Sequence, residues 1–284
     1  MASESQARWE SVSTPGEPPH PRVRVHAGFV SRFLKNERTV SVYTPPGYDE
    51  DGERTYPLLI LHDGQNLFDP ETSFVRGQTW RVAEHADAAI AAGETEPLVI
   101  AGVANAGERR LAEYTPVRDW KLGGGEAAAY GEMLMRELLP FLQGEYRLRR
   151  GAAETGLGGS SLGGLVSLWL GLRRPDVFGK LAVLSPSVWW NHRYILRFIE
   201  DVVTGVGYRS RIWLDVGERE GRRTLADAEM LHKRLLRHGW RDEREGQHGA
   251  DLHFETFAEG VHNEASWAMR VRPMLRFLYP QESE

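Results

Sequence analysis

A glycine-rich stretch constrains the fold of this chain more than any other feature. Residues 156–164 read Gly-Leu-Gly-Gly-Ser-Ser-Leu-Gly-Gly, after a segment that we predict as a strand and before one that we predict as a helix. Residues 159–163 match G-x-S-x-G, which between a strand and a helix is typical of a nucleophile elbow. The flanking glycines let the strand and helix pack around a strained turn, whose helix N–H groups point at the reacting atom. We therefore predict Ser161 as a nucleophile.

Phosphate-binding loops are also rich in glycine, but this stretch matches them less well. A dinucleotide-binding fingerprint requires a third glycine where Ser161 stands. A Walker phosphate-binding loop requires Gly-Lys-Ser/Thr, which the stretch lacks. Ser160 lies one residue before the centre of the pattern, so it is a poorer candidate nucleophile. A glycine-rich turn without catalytic function stays open as the alternative.

Short apolar segments alternate with amphipathic ones along the chain, which indicates a parallel sheet covered by helices. Two strands of alternating polarity come first, near Val23 and Thr39, and we expect them to be antiparallel. The other predicted strands are residues 57–61, 98–103, 152–157, 178–184, 212–216 and 252–257. The predicted helices are residues 79–92, 126–143, 161–173, 192–203, 224–238 and 264–278. The sequence thus predicts an α/β fold with an eight-stranded, mostly parallel sheet and helices on both faces, and an active site beyond the carboxyl ends of the strands.

Composition limits the other possibilities. The 284 residues are 41% hydrophobic and 26% charged, a globular balance that buries a core without disulfides. Residues 1–20 are polar and proline-rich and predict an extended tail, and residues 21–284 predict a single domain because no repeat or flexible linker divides them. The absence of cysteine excludes thiol nucleophiles and thiolate metal sites.

Charge and hydropathy bear on partners and location. The net charge of −5 argues against a nucleic-acid partner. No apolar run approaches the roughly 18 residues that span a membrane, so we expect no membrane partner. Residues 1–13 lack the layout of a signal peptide, which predicts a cytoplasmic protein. The oligomeric state is not readable from the sequence.

A serine nucleophile needs a base and an acid, which in such a sheet follow it in the order Ser, acid, His. Among the histidines after Ser161, His262 follows the last predicted strand and precedes the last helix, so we predict it as the base. Glu220, on the loop after strand 212–216, is the predicted acid, and Glu218 is the alternative. Asp215 lies inside that strand and is less favoured. The other histidines after Ser161 are His192, His232, His238, His248 and His253.

An oxyanion hole needs two backbone N–H groups. One comes from the residue after the nucleophile, here Leu162, and the other from the loop after the third strand. In that loop we assign the second donor to Gln65, with Gly64 as the alternative. His62 and Asp63 have no third ligand at a suitable spacing, so we expect no metal.

Together these segments resemble the putative esterase family of α/β hydrolases, also called the esterase D or enterochelin-esterase-like family. The resemblance runs from about Arg22 to Tyr279. It rests on residues 61–65, 158–164, 184–191, 215–220 and 260–263. Members include siderophore esterases, feruloyl and acetylxylan esterases, S-formylglutathione hydrolases and mycolyltransferases. The family match implies the same roles for Ser161, Glu220, His262, Gln65 and Leu162, and no cofactor.

The resemblance also implies where substrate binds. The Ser-Pro-Ser-Val-Trp-Trp-Asn stretch would place Trp189 and Trp190 near an acyl pocket, with core packing as the alternative. The long connection 105–125 would cross the mouth of the site, where Arg109 or Arg110 would face an anionic group or remain solvated. Asp63 is a further candidate contact with substrate.

The expected function is a serine carboxylic-ester hydrolase that forms an acyl-enzyme intermediate. Its expected partner is a small-molecule ester, of a siderophore-like or aryl (feruloyl) type. Three alternatives stay open. One is an acyltransferase that uses the same triad, and another is a non-catalytic binding module of the same fold. The third is a peptidase that uses the same elbow, although nothing in the sequence marks a peptide-gating domain.

Overall fold

The computed structural model describes residues 20–202, 209–243 and 249–281, and its eight strands form one sheet. Most of the predicted tail, residues 1–19, lies outside these ranges, so the division into tail and single domain stays a prediction. The strands are β1 (Val23–Ser31), β2 (Asn36–Tyr43), β3 (Leu58–His62), β4 (Val99–Val103), β5 (Thr155–Ser160), β6 (Lys180–Leu184), β7 (Arg211–Gly217) and β8 (Leu252–Phe257).

Eight α-helical segments occur in the described ranges. They are α1 (Val82–Ala91), α2 (Arg110–Glu113), α3 (Ala127–Met133), α4 (Leu139–Glu145), α5 (Leu162–Arg173), α6 (Trp190–Val202), α7 (Arg222–Arg237) and α8 (Glu264–Leu278). No helix in these ranges has both the length and the apolar composition needed to cross a membrane.

The strand order across the sheet is β1-β2-β4-β3-β5-β6-β7-β8. The pairs β1–β2 and β2–β4 are antiparallel, and every other pair is parallel. One face of the sheet packs against α3 to α7 and the other against α1 and α8. Because both faces are covered, the central strands β3, β4 and β5 are buried at every residue. The predicted fold is confirmed, including the antiparallel first pair.

Four local features differ from the prediction. Strand β5 begins at Thr155, because residues 152–154 form a 3-10 turn. The helix predicted over 126–143 is divided into α3 and α4 by a π turn at Leu134–Leu138. Pro140 explains this wider turn, because its ring would clash with the carbonyl four residues earlier in a regular helix. The connection 105–125 contains α2, and α6 starts with left-handed residues 191–193.

Candidate active site

Ser161 lies in a strained turn between β5 and α5. Its φ of 57° and ψ of −118° are rarely adopted by a residue with a side chain. Gly159 fits this turn closely, because a Cβ there would come 3.1 Å from the Cβ of His62 and 3.2 Å from the backbone of Gly163. Ser160 is the last residue of β5 and is 4% exposed, so its hydroxyl is enclosed by the sheet. The elbow therefore presents Ser161 at the carboxyl edge of the sheet.

The segment after β6 holds Ser161 through a second serine. The Ser161 hydroxyl lies 3.2 Å from the hydroxyl of Ser187, and the Ser187 N–H donates to the Ser161 carbonyl at 2.9 Å. The Ser161 N–H donates to the Leu184 carbonyl at 3.0 Å, which ties the elbow to the end of β6. In the part of the chain that the structure describes, no hydrogen bond joins Ser161 to His262.

His262 and Glu220 are brought together by the ends of β7 and β8. The His262 Nδ1 lies 2.7 Å from Glu220 Oε2, and the Glu220 side chain is fully buried. The other carboxylate oxygen accepts from the Ser185 hydroxyl at 2.6 Å, from the Gly217 N–H at 2.8 Å and from Arg270 Nη2 at 3.1 Å. Both oxygens of Glu220 are thus fully engaged.

These contacts set the protonation state of Glu220. Burial acts to raise its pKa, but hydrogen bonds from His262, Ser185 and the Gly217 N–H outweigh burial and hold the pKa at about 2. Glu220 is therefore ionised near neutral pH, so it accepts a hydrogen bond from a protonated Nδ1 of His262.

Two other carboxylates near β7 have different partners. Glu218 accepts from the Thr256 hydroxyl at 3.0 Å. Asp215 is fully buried within β7 and forms a 2.7 Å ion pair with Arg270, and burial raises its pKa. Arg219, next to Glu220 on the loop, pairs with Glu259 and leaves Glu220 to His262. Geometry thus favours Glu220 as the partner of His262.

The two predicted oxyanion donors lie at helix starts. Gln65 is the second residue of a 3-10 turn, Gly64–Asn66, and Leu162 is the first residue of α5. N–H groups in a first turn have no acceptor within their own helix, so they are free to bind an anion. Gly64 is required for this arrangement, because a Cβ there would lie 2.4 Å from the backbone of Gly102.

Asp63 holds the neighbouring connection in place. Its carboxylate accepts two hydrogen bonds from Arg110, at 2.7 and 2.8 Å, and one from Asn105 at 2.7 Å. Asp63 is 4% exposed and is bonded to this connection, and its contact with substrate stays a prediction. The Arg110 side chain is 26% exposed and lies over the ring of Tyr114. Arg110 can thus meet a ligand.

Two other predicted substrate contacts have partners within the chain, and their contact with substrate stays a prediction. Arg109 forms an ion pair with Glu126, and its side chain is 54% exposed. Trp190 is 1% exposed and its indole N–H donates to the Val117 carbonyl at 2.9 Å, because its ring packs against the connection 105–125. Trp189 is 41% exposed and is the ring of the pair that is available to a ligand.

Among the residues that the structure describes, the histidines other than His262 do not gather into a metal-binding cluster. His62 is fully buried and lies 2.8 Å from the Tyr130 hydroxyl, and burial lowers its pKa to about 3, so it is neutral. His232 pairs with Asp242, and His253 lies between Glu243 and Glu255. His248 lies outside the described residues. Within the described ranges, no group of three or more His, Cys, Asp or Glu side chains is placed to hold a metal ion.

Three residues of the site were not predicted from the sequence: Arg270, Ser185 and Ser187. Arg270 carries a signal that was available, because it follows Trp267 by three residues and precedes Met274 by four and so lies on the buried face of α8. A charged residue on such a face requires a buried partner. The two serines belong to the segment 184–191, but their partners are distant in sequence.

A family model and several known proteins match this chain. The model of the family described as "Putative esterase" matches residues 31–278. An uncharacterized protein of Bacillus subtilis strain 168, YbbA, is 25% identical over 258 residues, which are 84% of this chain and 96% of that protein. Iron(III) salmochelin esterase of Escherichia coli O6:H1 strain CFT073 is 28% identical over 215 residues. That match covers 71% of this chain and 47% of the relative, so this chain spans about half the length of that esterase.

Solved structures agree on the fold. The crystal structure of the BES protein from Bacillus cereus superposes with a TM-score of 0.70. The match covers 98% of this chain and 99% of that one, at 22% sequence identity. At that identity the likeness shows a shared fold, and a shared fold does not fix function.

Proposed function

This chain belongs to the putative esterase family of carboxylic-ester hydrolases, and we propose that it cleaves its ester through an acyl-enzyme on Ser161. One observation carries the proposal. A buried, ionised Glu220 is bonded to Nδ1 of His262 at the same sheet edge at which a strained turn presents Ser161. This combination of nucleophile, base and orienting acid is the arrangement of a serine hydrolase.

The first half of the reaction forms the acyl-enzyme. Glu220 accepts a hydrogen bond from the protonated Nδ1 of His262, which leaves Nε2 free to act as a base. The Ser161 oxygen attacks the ester carbonyl while its proton passes to Nε2. The oxyanion of the tetrahedral intermediate accepts hydrogen bonds from the N–H groups of Gln65 and Leu162. Protonated His262 then gives its proton to the leaving alcohol, the ester C–O bond breaks, and the acyl group stays on Ser161.

The second half regenerates the free enzyme. Water gives a proton to Nε2 of His262 and attacks the acyl carbonyl, which forms a second tetrahedral intermediate in the same oxyanion hole. The bond between the acyl carbon and the Ser161 oxygen breaks as His262 returns the proton to that oxygen. The carboxylic acid leaves, and no cofactor takes part in any step.

The hydroxyl of Ser161 has to change partner before this reaction begins. In the free protein it bonds to Ser187 at 3.2 Å, a long contact that is easily exchanged. Catalytic hydrogen bonds are often absent from free enzymes and form in the substrate complex. We therefore propose that ester binding directs the hydroxyl from Ser187 toward His262.

For the substrate, we propose an ester whose acyl group carries an aromatic ring and an anionic or phenolic oxygen. Trp189 offers an exposed ring, and the partly exposed guanidinium of Arg110 offers a planar fork for oxygen. A solved structure of similar fold, the enterobactin esterase FES from Shigella flexneri, was determined in the presence of 2,3-dihydroxy-N-benzoyl-serine, a compound with such a ring. The proposal predicts that a purified sample hydrolyses 2,3-dihydroxybenzoyl esters faster than acetyl esters of the same alcohol. Equal rates on the two would contradict it.

The reaction type is tested with p-nitrophenyl acetate and butyrate at neutral pH. Wild type should hydrolyse both, and Ser161→Ala should lower kcat/KM by about 10³-fold or more. Ser160→Ala is the matched control, because it removes the same hydroxyl one residue earlier and should retain activity within about tenfold. Equal activity of Ser161→Ala and wild type would overturn the proposal.

A further inference from the structure

The buried arginine of α8 contacts the proposed acid from behind. Arg270 is fully buried, and its Nη1 lies 2.7 Å from Asp215 Oδ1 and 2.7 Å from the Ser185 hydroxyl. Its Nη2 lies 3.1 Å from Glu220 Oε1 and 2.9 Å from the Ser266 hydroxyl. One guanidinium thus bridges two carboxylates, of which only Glu220 is bonded to His262.

Asp215 is held as a charged group that does not contact His262. It accepts from Arg270, from the Trp213 indole N–H at 2.7 Å and from the Ser185 N–H at 3.3 Å. Burial raises its pKa, but all three partners are hydrogen-bond donors, which favour the ionised carboxylate. Asp215 therefore supplies a fixed negative charge next to Arg270.

The charges of this group sum to a simple result. Arg270 alone beside Glu220 would cancel the charge of Glu220, and His262 would then face a neutral pair. Asp215 cancels Arg270 instead, so the group of Asp215, Arg270 and Glu220 keeps one net negative charge. That charge stabilises the imidazolium that His262 becomes in each transition state.

From these contacts we propose that Asp215 and Arg270 are positioning residues: a buried counter-ion pair that orients Glu220 and leaves its negative charge available to His262. This inference rests on the proposed function, in which His262 is the base. Ser185 links the members of the group, because its hydroxyl donates to Glu220 and accepts from Arg270. Trp267 adds a further donor to the same hydroxyl at 3.2 Å.

Other charged groups around His262 have separate partners. From α8, Glu264 interacts electrostatically with His262 and accepts from Asn66 at 3.2 Å. Two charged residues beside Glu220 in sequence also have other partners: Glu218 accepts from the Thr256 hydroxyl, and Arg219 pairs with Glu259. The group of Asp215, Arg270 and Glu220 is therefore the charged group in direct hydrogen-bonded connection with His262, within the described ranges.

The test is the pH dependence of kcat/KM for p-nitrophenyl butyrate in wild type, Asp215→Asn and Asp215→Asn/Arg270→Met. Removing the charge of Asp215 leaves Arg270 uncompensated, so protonated His262 is less stabilised. The acidic limb of the profile should then move to lower pH by about 0.5 to 1 unit, which is the scale of one uncompensated charge at an effective dielectric near 20. On the plateau kcat should fall about tenfold with KM nearly unchanged.

The double variant should restore the position of the acidic limb. Asp215→Asn/Arg270→Met removes both charges of the pair and keeps the charge of Glu220, so the acidic limb should return to within about 0.2 unit of the wild-type position. A role in packing alone predicts lower thermal stability in both variants with no movement of the limb. Asp215→Ala should also move the acidic limb to lower pH. It takes the place of Asp215→Asn in the experiment if Asp215→Asn does not fold.

Asp227→Asn is the matched control. Asp227 is also a buried aspartate, 2% exposed. Its Oδ1 lies 2.7 Å from Nε of Arg193, and it has no contact with Glu220 or His262 among the described hydrogen bonds and ion pairs. Its variant should keep the wild-type acidic limb whatever it does to the melting temperature. An unmoved limb in folded Asp215→Asn overturns the inference when wild type is active and Ser161→Ala is not. Equal activity of wild type and Ser161→Ala would instead mean that the proposed function has failed.

Discussion

Two regions flank Ser161, and each is built around a carboxylate bonded to an arginine. On the acid–base flank, Arg270 is fully buried and shared between Asp215 and Glu220. On the loop flank, Arg110 is 26% exposed and bound by Asp63 alone. The two guanidinium groups therefore differ in whether a ligand can contact them.

That difference assigns the two flanks different tasks. Four of the N–H groups of Arg270 donate to side chains within the protein, so this guanidinium is closed to ligands and holds Glu220 in one fixed geometry. His262, whose side chain is 43% exposed, is the part of this flank that substrate reaches. Arg110 is fixed by Asp63 from one side and keeps part of its side chain in solvent. The loop flank is therefore suited to binding an oxygen of the substrate.

Disrupting the acid–base flank should have the largest effect. Glu220→Gln replaces the acceptor of the Nδ1 proton with an amide, so it loses the correct tautomer and the charge that stabilises imidazolium. We expect kcat to fall by about 10³-fold or more in stopped assays on p-nitrophenyl butyrate. Glu218→Gln is the matched control and should stay within about threefold of wild type. The opposite ranking of the two variants would make Glu218 the acid.

Disrupting the loop flank should act on substrate binding. Arg110→Ala should raise KM for an anionic aryl ester about tenfold or more, because a charge-assisted hydrogen bond is lost, and should leave neutral p-nitrophenyl acetate within about threefold. Arg109→Ala removes the neighbouring arginine, which pairs with Glu126. It should leave the KM for both substrates unchanged. Equal losses on both substrates in Arg110→Ala would contradict a binding role.

The acid–base flank should lose stability in acid, because Glu220 is ionised in the folded protein. The pKa of Glu220 in the folded protein is about 2, below the ordinary value of 4.5, so its ionised form stabilises the fold above pH 4.5. This contribution is lost as the pH falls from about 4.5 to about 2. Melting temperature should thus fall less steeply over that window in Glu220→Gln than in wild type. Parallel curves for the two proteins would show that Glu220 is not bonded as described.

The smallest effect should come from Glu264, which lies between the two flanks. Burial raises its pKa, so its ionised form at neutral pH is costly to the fold. Glu264→Gln keeps an acceptor for Asn66 and removes the charge, so the melting temperature at about pH 7 should rise by about 1 to 2 °C. At about pH 4 the gain should vanish, because Glu264 is then largely protonated. A lower melting temperature of Glu264→Gln at neutral pH would contradict this expectation.

The sequence predicted the parts of the molecule that local pattern controls. The strand and helix on either side of Ser161 follow from apolar runs and from the glycines between them, and α8 was predicted with the bounds that the structure has, 264–278. The position of His262 followed from strand order, because parallel strands deliver their ends to one sheet edge. These features depend on periodicity and on topology.

The partners of buried charges were not readable in this way. Arg270 meets Asp215 across 55 residues, and Arg110 meets Asp63 across 47, so no local pattern connects them. The burial of Trp190 was not readable for the same reason, since it depends on the contacts of its ring with Val117 and Gly124. Side-chain contacts between distant segments depend on the packed fold.

Covalent labelling tests most directly whether Ser161 is the nucleophile. Wild type is treated with a fluorophosphonate, which phosphonylates activated serines with loss of fluoride, and the modified peptide is located by mass spectrometry. The proposed mechanism predicts one adduct per chain, on Ser161, and no adduct in His262→Ala, where the base is missing. An adduct on Ser160 or Ser187, or an unlabelled protein that still hydrolyses esters, would contradict it.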